Sequence, residues 1–216
     1  MANTVLADLQ SKIESRYDLD IPYRIEQFFS SDKMIANRLA DEQARNGQQR
    51  PVVDEEVVFI HQAKNSLEFT VYVDEQLLAA VDDSQADLDG ICTVVEGVSH
   101  AVCLLWHAHN DRQIRPIDLE LQAEIDKYVI LLENHSCKLE RRYLHRCLFA
   151  NSTLTPQLDK ELRDRYSMAS KLASEYCHWL GGHLMEVQDS AALRQELARF
   201  YRLSGQAKFD HIQRLH

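Results

Sequence analysis

The chain has 216 residues, of which 45% are apolar and 27% charged, a globular composition that excludes disordered and fibrous classes. Its formal net charge of −10 is uneven: residues 1–100 carry 19 acids against 8 Lys/Arg, net −11, and residues 101–216 carry 15 against 16, net +1. An acidic front half repels a phosphate backbone, so nucleic acid is excluded as a direct ligand.

Few prolines and glycines, 4 and 6, favour long regular elements. Thr4 is placed to cap a first helix running to about Tyr17, with Val5, Leu6, Leu9 and Ile13 on one stripe. This start has neither a basic cluster nor an apolar core of signal type, so it is expected to stay in the mature protein. Pro22 then forces an extended entry, which leads to a short element and to a helix near Lys33–Gln43. The polar stretch from about Gln43 to Asp54, with Gly47 and Pro51, reads as a loop.

Two β-branched runs, residues 55–62 and 66–73, are separated by a short turn and predict a hairpin. Two strands alone are marginal in water, so the hairpin must pack on helices or gain a strand from the segment Pro22–Phe29. The acidic run Asp82–Asp89 reads as a solvated connection. Helices follow over about Asp89–His109, Ile117–Glu133 behind Pro116, and Lys138–Ala150, the last one basic and amphipathic. Thr155 and Pro156 suit the start of a long helix to Leu180 that Gly181 and Gly182 would stop, and two shorter helices, Ser190–Leu203 and about Gln206–Leu215, close the chain. The closing helices interleave Phe200, Tyr201, Phe209 and Ile212 with Arg and Lys, which suits either core packing or a partner surface.

Chemistry concentrates on the helix of residues 89–109. Wound at 100° per residue, Asp89, Cys92, Glu96, His100, Cys103 and His107 fall within an arc of about 80°. Ile91, Val94, Val98, Ala101 and Leu105 lie opposite. One reading makes the first arc a solvated polar face. The other makes it a metal site, with Glu96 and His100 side by side at i and i+4 and a further carboxylate from Glu120 or Glu124, also at i and i+4, with His135 just beyond. Carboxylate and imidazole suit zinc, iron or manganese. Buried Val94, Val98 and Leu105 are expected under both readings.

Established catalytic signatures are missing. Gly97 follows Glu96, so no HExxH helix forms, and there is no paired Glu-x-x-His, nucleophile elbow, Walker loop or dinucleotide fingerprint. Cys103 near His107, and Cys177 beside His178, are nucleophile candidates by proximity alone. The five cysteines have no CxxC spacing and no export signal, so reduced thiols and a cytosolic location are expected. Apolar runs are interrupted by Glu, His or Asp before the roughly 18–20 residues of a bilayer span, so no membrane contact is expected.

The segment EGVSHAVCLLW, residues 96–106, followed by LELQAEIDKYV, residues 119–129, resembles a pair of motifs of an uncharacterised bacterial protein family. The resemblance covers those segments alone and implies no activity. It places Glu96, His100, Glu120 and Glu124 within the shared motifs.

The expected fold is α+β and predominantly helical, a small antiparallel hairpin or sheet packed against a helical bundle. It is expected as one domain over residues 1–216, with an α/β portion to about 88 and a helical portion beyond. The expected function is that of a cytosolic interaction or regulatory protein without catalysis of its own, its partner another protein or a second copy of the chain. The alternative is a metal-dependent enzyme, a hydrolase for instance, with Glu96, His100, Glu120 and Glu124 as candidate ligands and a metal-bound water as nucleophile.

Overall fold

The computed structural model describes residues 2–63, 66–132, 138–150, 160–183 and 190–215. The fold is α+β and mostly helical, with one small mixed sheet among the described residues. The chain groups into two compact units, residues 1–11 with 21–110, and residues 12–20 with 111–216. The change of unit thus falls after the helix of residues 89–109, which groups with the strands.

Helix α1 (Ala2–Tyr17), which groups with the first unit up to Ser11 and with the second from Lys12, begins before Thr4, so Thr4 is an exposed residue inside the helix and not its cap. Leu6 and Leu9 are buried as expected. Gln10 fastens the Pro22 segment: its Nε2 donates to the Tyr23 carbonyl at 2.8 Å and its Oε1 accepts from the Ile25 amide at 3.0 Å. A 3-10 turn, Ile25–Phe28, leads into strand β1 (Phe29–Ser30), then helix α2 (Lys33–Arg45), whose first turn is capped by Asp32.

Strands β2 (Glu56–Ala63) and β3 (Ser66–Val73) pair antiparallel, and β1 adds to β3 in parallel, giving the order β1-β3-β2. Alternation divides the sheet into two faces. Phe59 and Tyr72 point to Ala36 and Ala40 of α2, whereas Val71 and Val73 face helix α4 (Leu88–His109). With both faces covered, the strands carry apolar residues on both.

Helix α3 (Glu75–Asp82) was not predicted, because its eight residues are too few for a helical period to stand out beside the preceding strand. Its cap is legible in retrospect, Asp74 accepting from the Gln76 amide at 2.9 Å. Residues 83–85 are exposed, in keeping with a solvated connection, and Asp87 caps α4.

Helix α4 organises this unit. From Val94 to His107 every residue except Glu96 is buried, including Val94, Val98 and Leu105. The helix has the length and composition of a bilayer span, contrary to the sequence expectation, but 67% of its most apolar window is buried inside the protein, which marks it as a core helix.

The second unit contains helices α5 (Pro116–Leu131), α6 (Lys138–Phe149), α7 (Lys160–His183), α8 (Ser190–Arg202) and α9 (Gln206–Gln213). Thr155 and Pro156 lie outside the described residues. Gly181 and Gly182 do not stop α7, which continues to His183. A Cβ at Gly181 would stand 2.7 Å from the Tyr128 hydroxyl, so the glycine allows α5 and α7 to approach closely. Phe200 stacks on Tyr176 with ring centroids 4.1 Å apart, and Phe200, Tyr201 and Ile212 are buried, so core packing accounts for these three, while Phe209 is half-buried beneath the Arg115 guanidinium.

Candidate metal centre

Burial bears on the two readings of the α4 stripe. His100, Cys103 and His107 retain 4%, 1% and 3% of their exposure, so this arc is not a solvated face. Only the stripe's first turns reach solvent: Asp89 is exposed, and Cys92 and Glu96 are half-buried.

The stripe divides into two parts. Towards the C-terminal end, His107 Nδ1 donates to the Cys103 carbonyl at 2.8 Å, and the Cys103 Sγ lies 3.6 Å from the same nitrogen. A nitrogen already donating to a carbonyl cannot take the thiol's proton, and both groups are buried, so the Cys103–His107 pair lacks the base and the access a nucleophile needs. Cys177 is excluded on similar grounds: burial, together with Glu124 and Asp126, pushes its thiol well above its ordinary value. Among the described residues Cys92, Cys103, Cys147 and Cys177 are unbridged thiols; Cys137 lies outside them.

One helical turn earlier, Glu96 and His100 meet Glu56, the first residue of β2. Ligand atoms of the three side chains all lie within 4.8 Å of one another. His100 Nδ1 is 3.4 Å from Glu56 Oε1, with side-chain exposures of 5% and 13%. Local structure produces this convergence in two ways. Strand alternation puts Glu56, paired with Val73, on the face that meets α4. Gly97 then lets the helix settle: a Cβ there would stand 3.2 Å from Val71 and Val73 and 3.3 Å from the Glu56 side chain.

Glu120 and Glu124 belong to the second unit and are not part of this group. Glu124 accepts from Lys127 Nζ at 2.7 Å, and Glu120 Oε1 lies 4.0 Å from Arg165 Nε. His135 lies outside the described residues. Sequence reasoning missed Glu56. A signal existed, since Glu56 shares its alternation with Val58 and Ile60 and so stands on a face that a buried strand keeps apolar. What the sequence does not give is which helix covers that face.

The chemistry of the trio is that of a small ligand set. Two carboxylates and an imidazole from two elements suit a borderline or hard divalent cation, and three protein ligands leave positions for water. Compared with family models, curated proteins and solved structures, the chain gives no match.

Proposed function

We propose that this protein binds a divalent cation through Glu56, Glu96 and His100, with zinc, manganese or iron(II) as the ions the donor set suits. The observation that carries the reading is the convergence of three ligand atoms within 4.8 Å, on a strand end and a helix that the core holds in place. It favours the metal-dependent alternative over an interaction protein without chemistry of its own, because a solvated polar face would not bury His100. Remaining coordination positions would carry water, and a cation there lowers that water's pKa, which equips the site for hydrolytic chemistry.

The test begins with protein stripped by chelator and dialysed against each ion. Wild-type protein is expected to retain about one equivalent and to melt at a higher temperature with metal present, because an ion bound only by the folded state stabilises it by mass action. His100→Ala should retain none and gain no melting temperature, while its helix persists, since alanine favours helix and only the imidazole is removed. Equal, metal-independent melting of both proteins would defeat the reading.

A further inference from the structure

The basic helix α6 takes no part in the metal centre. Its twelve residues include Lys138, Arg141, Arg142 and Arg146 against the single acid Glu140. Arg142 and Arg146 stand at i and i+4, so like charges occupy neighbouring positions, an arrangement that an isolated helix disfavours.

The three arginines line a cleft of about 710 Å³ within the second unit. Arg141, Arg142, His145 and Arg146 come from α6, His178 and the two glycines from α7, and Tyr128 from α5. Among the described residues, no carboxylate lines it. The wall is built rather than loose at one point: His145 Nε2 donates to the Ser174 carbonyl of α7 at 2.9 Å, its ring meets Tyr128 edge-on at 6.0 Å, and the His178 ring lies 5.5 Å away. Hydrogen bonding through Nε2 turns Nδ1 into the ring's remaining polar atom. At the mouth, Gly182 has nothing among the described residues within 4 Å of where a Cβ would stand.

Guanidinium groups present planar forks of donors that match phosphate oxygens two at a time, and an aromatic floor accepts the flat body of a ligand. The volume lies within the range of small-molecule sites, roughly 300–1,000 Å³, and exceeds what orthophosphate fills. From this juxtaposition of three arginines around a cleft whose described lining holds no carboxylate, we infer that the α6–α7 cleft binds a phosphate-bearing small molecule, the phosphate contacted by Arg142 and Arg146 and the remainder resting toward Tyr128.

Full-length protein is titrated calorimetrically with orthophosphate, pyrophosphate and ATP, all with EDTA present so that no metal bridges ligand and protein. The expected result is saturable binding of pyrophosphate and ATP, one per chain, weaker at higher salt. ATP binding tighter than pyrophosphate assigns a ligand with an organic body; equal affinities assign the phosphates alone. Arg142 and Arg146 are exposed, so Arg142→Ala/Arg146→Ala is expected to fold and to bind at least about tenfold more weakly, the worth of one charge-assisted hydrogen bond. Gly182→Leu fills the mouth while favouring the helix, and is expected to lose binding without lowering the melting temperature. Arg214→Ala, on an exposed arginine outside the lining residues, serves as the charge control and should bind as wild type. Absence of saturable binding to pyrophosphate and ATP overturns the inference, as does binding left unchanged by both cleft variants or weakened as much by Arg214→Ala. His100→Ala, inert here, keeps this outcome separate from that of the metal site.

Discussion

The two units each bury polar side chains, but they complete them differently. In the second unit Lys208 Nζ donates to Gln122 Oε1 at 2.9 Å, Gln122 Nε2 donates to Asp126 Oδ1 at 2.9 Å, and the Tyr17 hydroxyl donates to the same carboxylate. A cation and an anion are thereby joined through one oriented amide, and the ammonium also lies 5.1 Å from the centre of the Phe200 ring. Burial, then Asp126, raises the Tyr17 hydroxyl well above its ordinary value, so it remains a donor. In the first unit the convergent groups are two carboxylates and an imidazole, all of them groups that a cation can recruit. The chain in the second unit holds helices together; the trio in the first has the composition of a ligand set. Buried polarity alone does not separate structure from function; on the proposed reading, the kind of groups that converge does.

The comparison breaks most readily at its structural end. Asp126→Ala strips the partner from two buried donors, Tyr17 and Gln122, and should cost about 3 kcal/mol in urea unfolding. A loss below about 0.5 kcal/mol, the level of an ordinary surface change, would mean the network is not structural.

Gly97→Val sharpens the link between packing and the trio. Its added methyl groups must displace Val71, Val73 or Glu56, costing about 1–3 kcal/mol by overpacking. Metal affinity should fall as well, because the helix is pushed off the strand that carries Glu56. An affinity equal to wild type in a destabilised protein would show that the close approach does not set the site's geometry.

Glu96→Gln should separate binding from folding. Glutamine keeps the shape but not the charge, and at this half-buried position metal-free stability should change by less than about 1 kcal/mol. Metal retention should fall at least tenfold, measured by equilibrium dialysis.

Acid gives the smallest effect. Burial alone would raise the Asp118 carboxyl, but the Arg115 guanidinium, bonded at 2.8 and 2.9 Å, with help from Lys208 and the Gly205 amide, holds it below its ordinary value. A carboxyl lowered by folding contributes stability that is complete above about pH 4 and is lost as pH falls through the lower folded value. Arg115 is 45% exposed, so the contribution is screened to under about 1 kcal/mol. Asp118→Asn should flatten this part of the acid melting curve, and an unchanged curve would remove the pair from the account.

Much of the fold was legible because its signals are local. Period-2 runs marked β2 and β3, Pro116 marked the start of α5, and the apolar arc of α4 named Val94, Val98 and Leu105 as core. Tertiary packing decided the rest. The arc opposite Val98 reads as polar in the sequence, yet from His100 onward it is buried, by cover that no pattern within the helix announces. Gly181 and Gly182 read as a stop, each costing about 1 kcal/mol of helix propensity, but α7 runs through both, and the close approach of Tyr128 to Gly181 is a packing demand the sequence does not announce. Half of the trio's logic was visible in the i, i+4 pair Glu96 and His100. Glu56 stands 40 residues earlier in the chain than Glu96, and only the register of β2 against β3 and the seat of Gly97 bring it to them.

Metal stoichiometry in Glu56→Gln set beside Glu124→Gln tests the central claim most directly, since Glu56 enters through the fold alone and Glu124 through the sequence alone. Chelator-stripped proteins are loaded with zinc or manganese, dialysed, and assayed for bound ion per chain. The account predicts about one ion in wild type and in Glu124→Gln, and a loss of retention in Glu56→Gln with its fold intact by circular dichroism. Full retention in Glu56→Gln, or loss in Glu124→Gln alone, would contradict it.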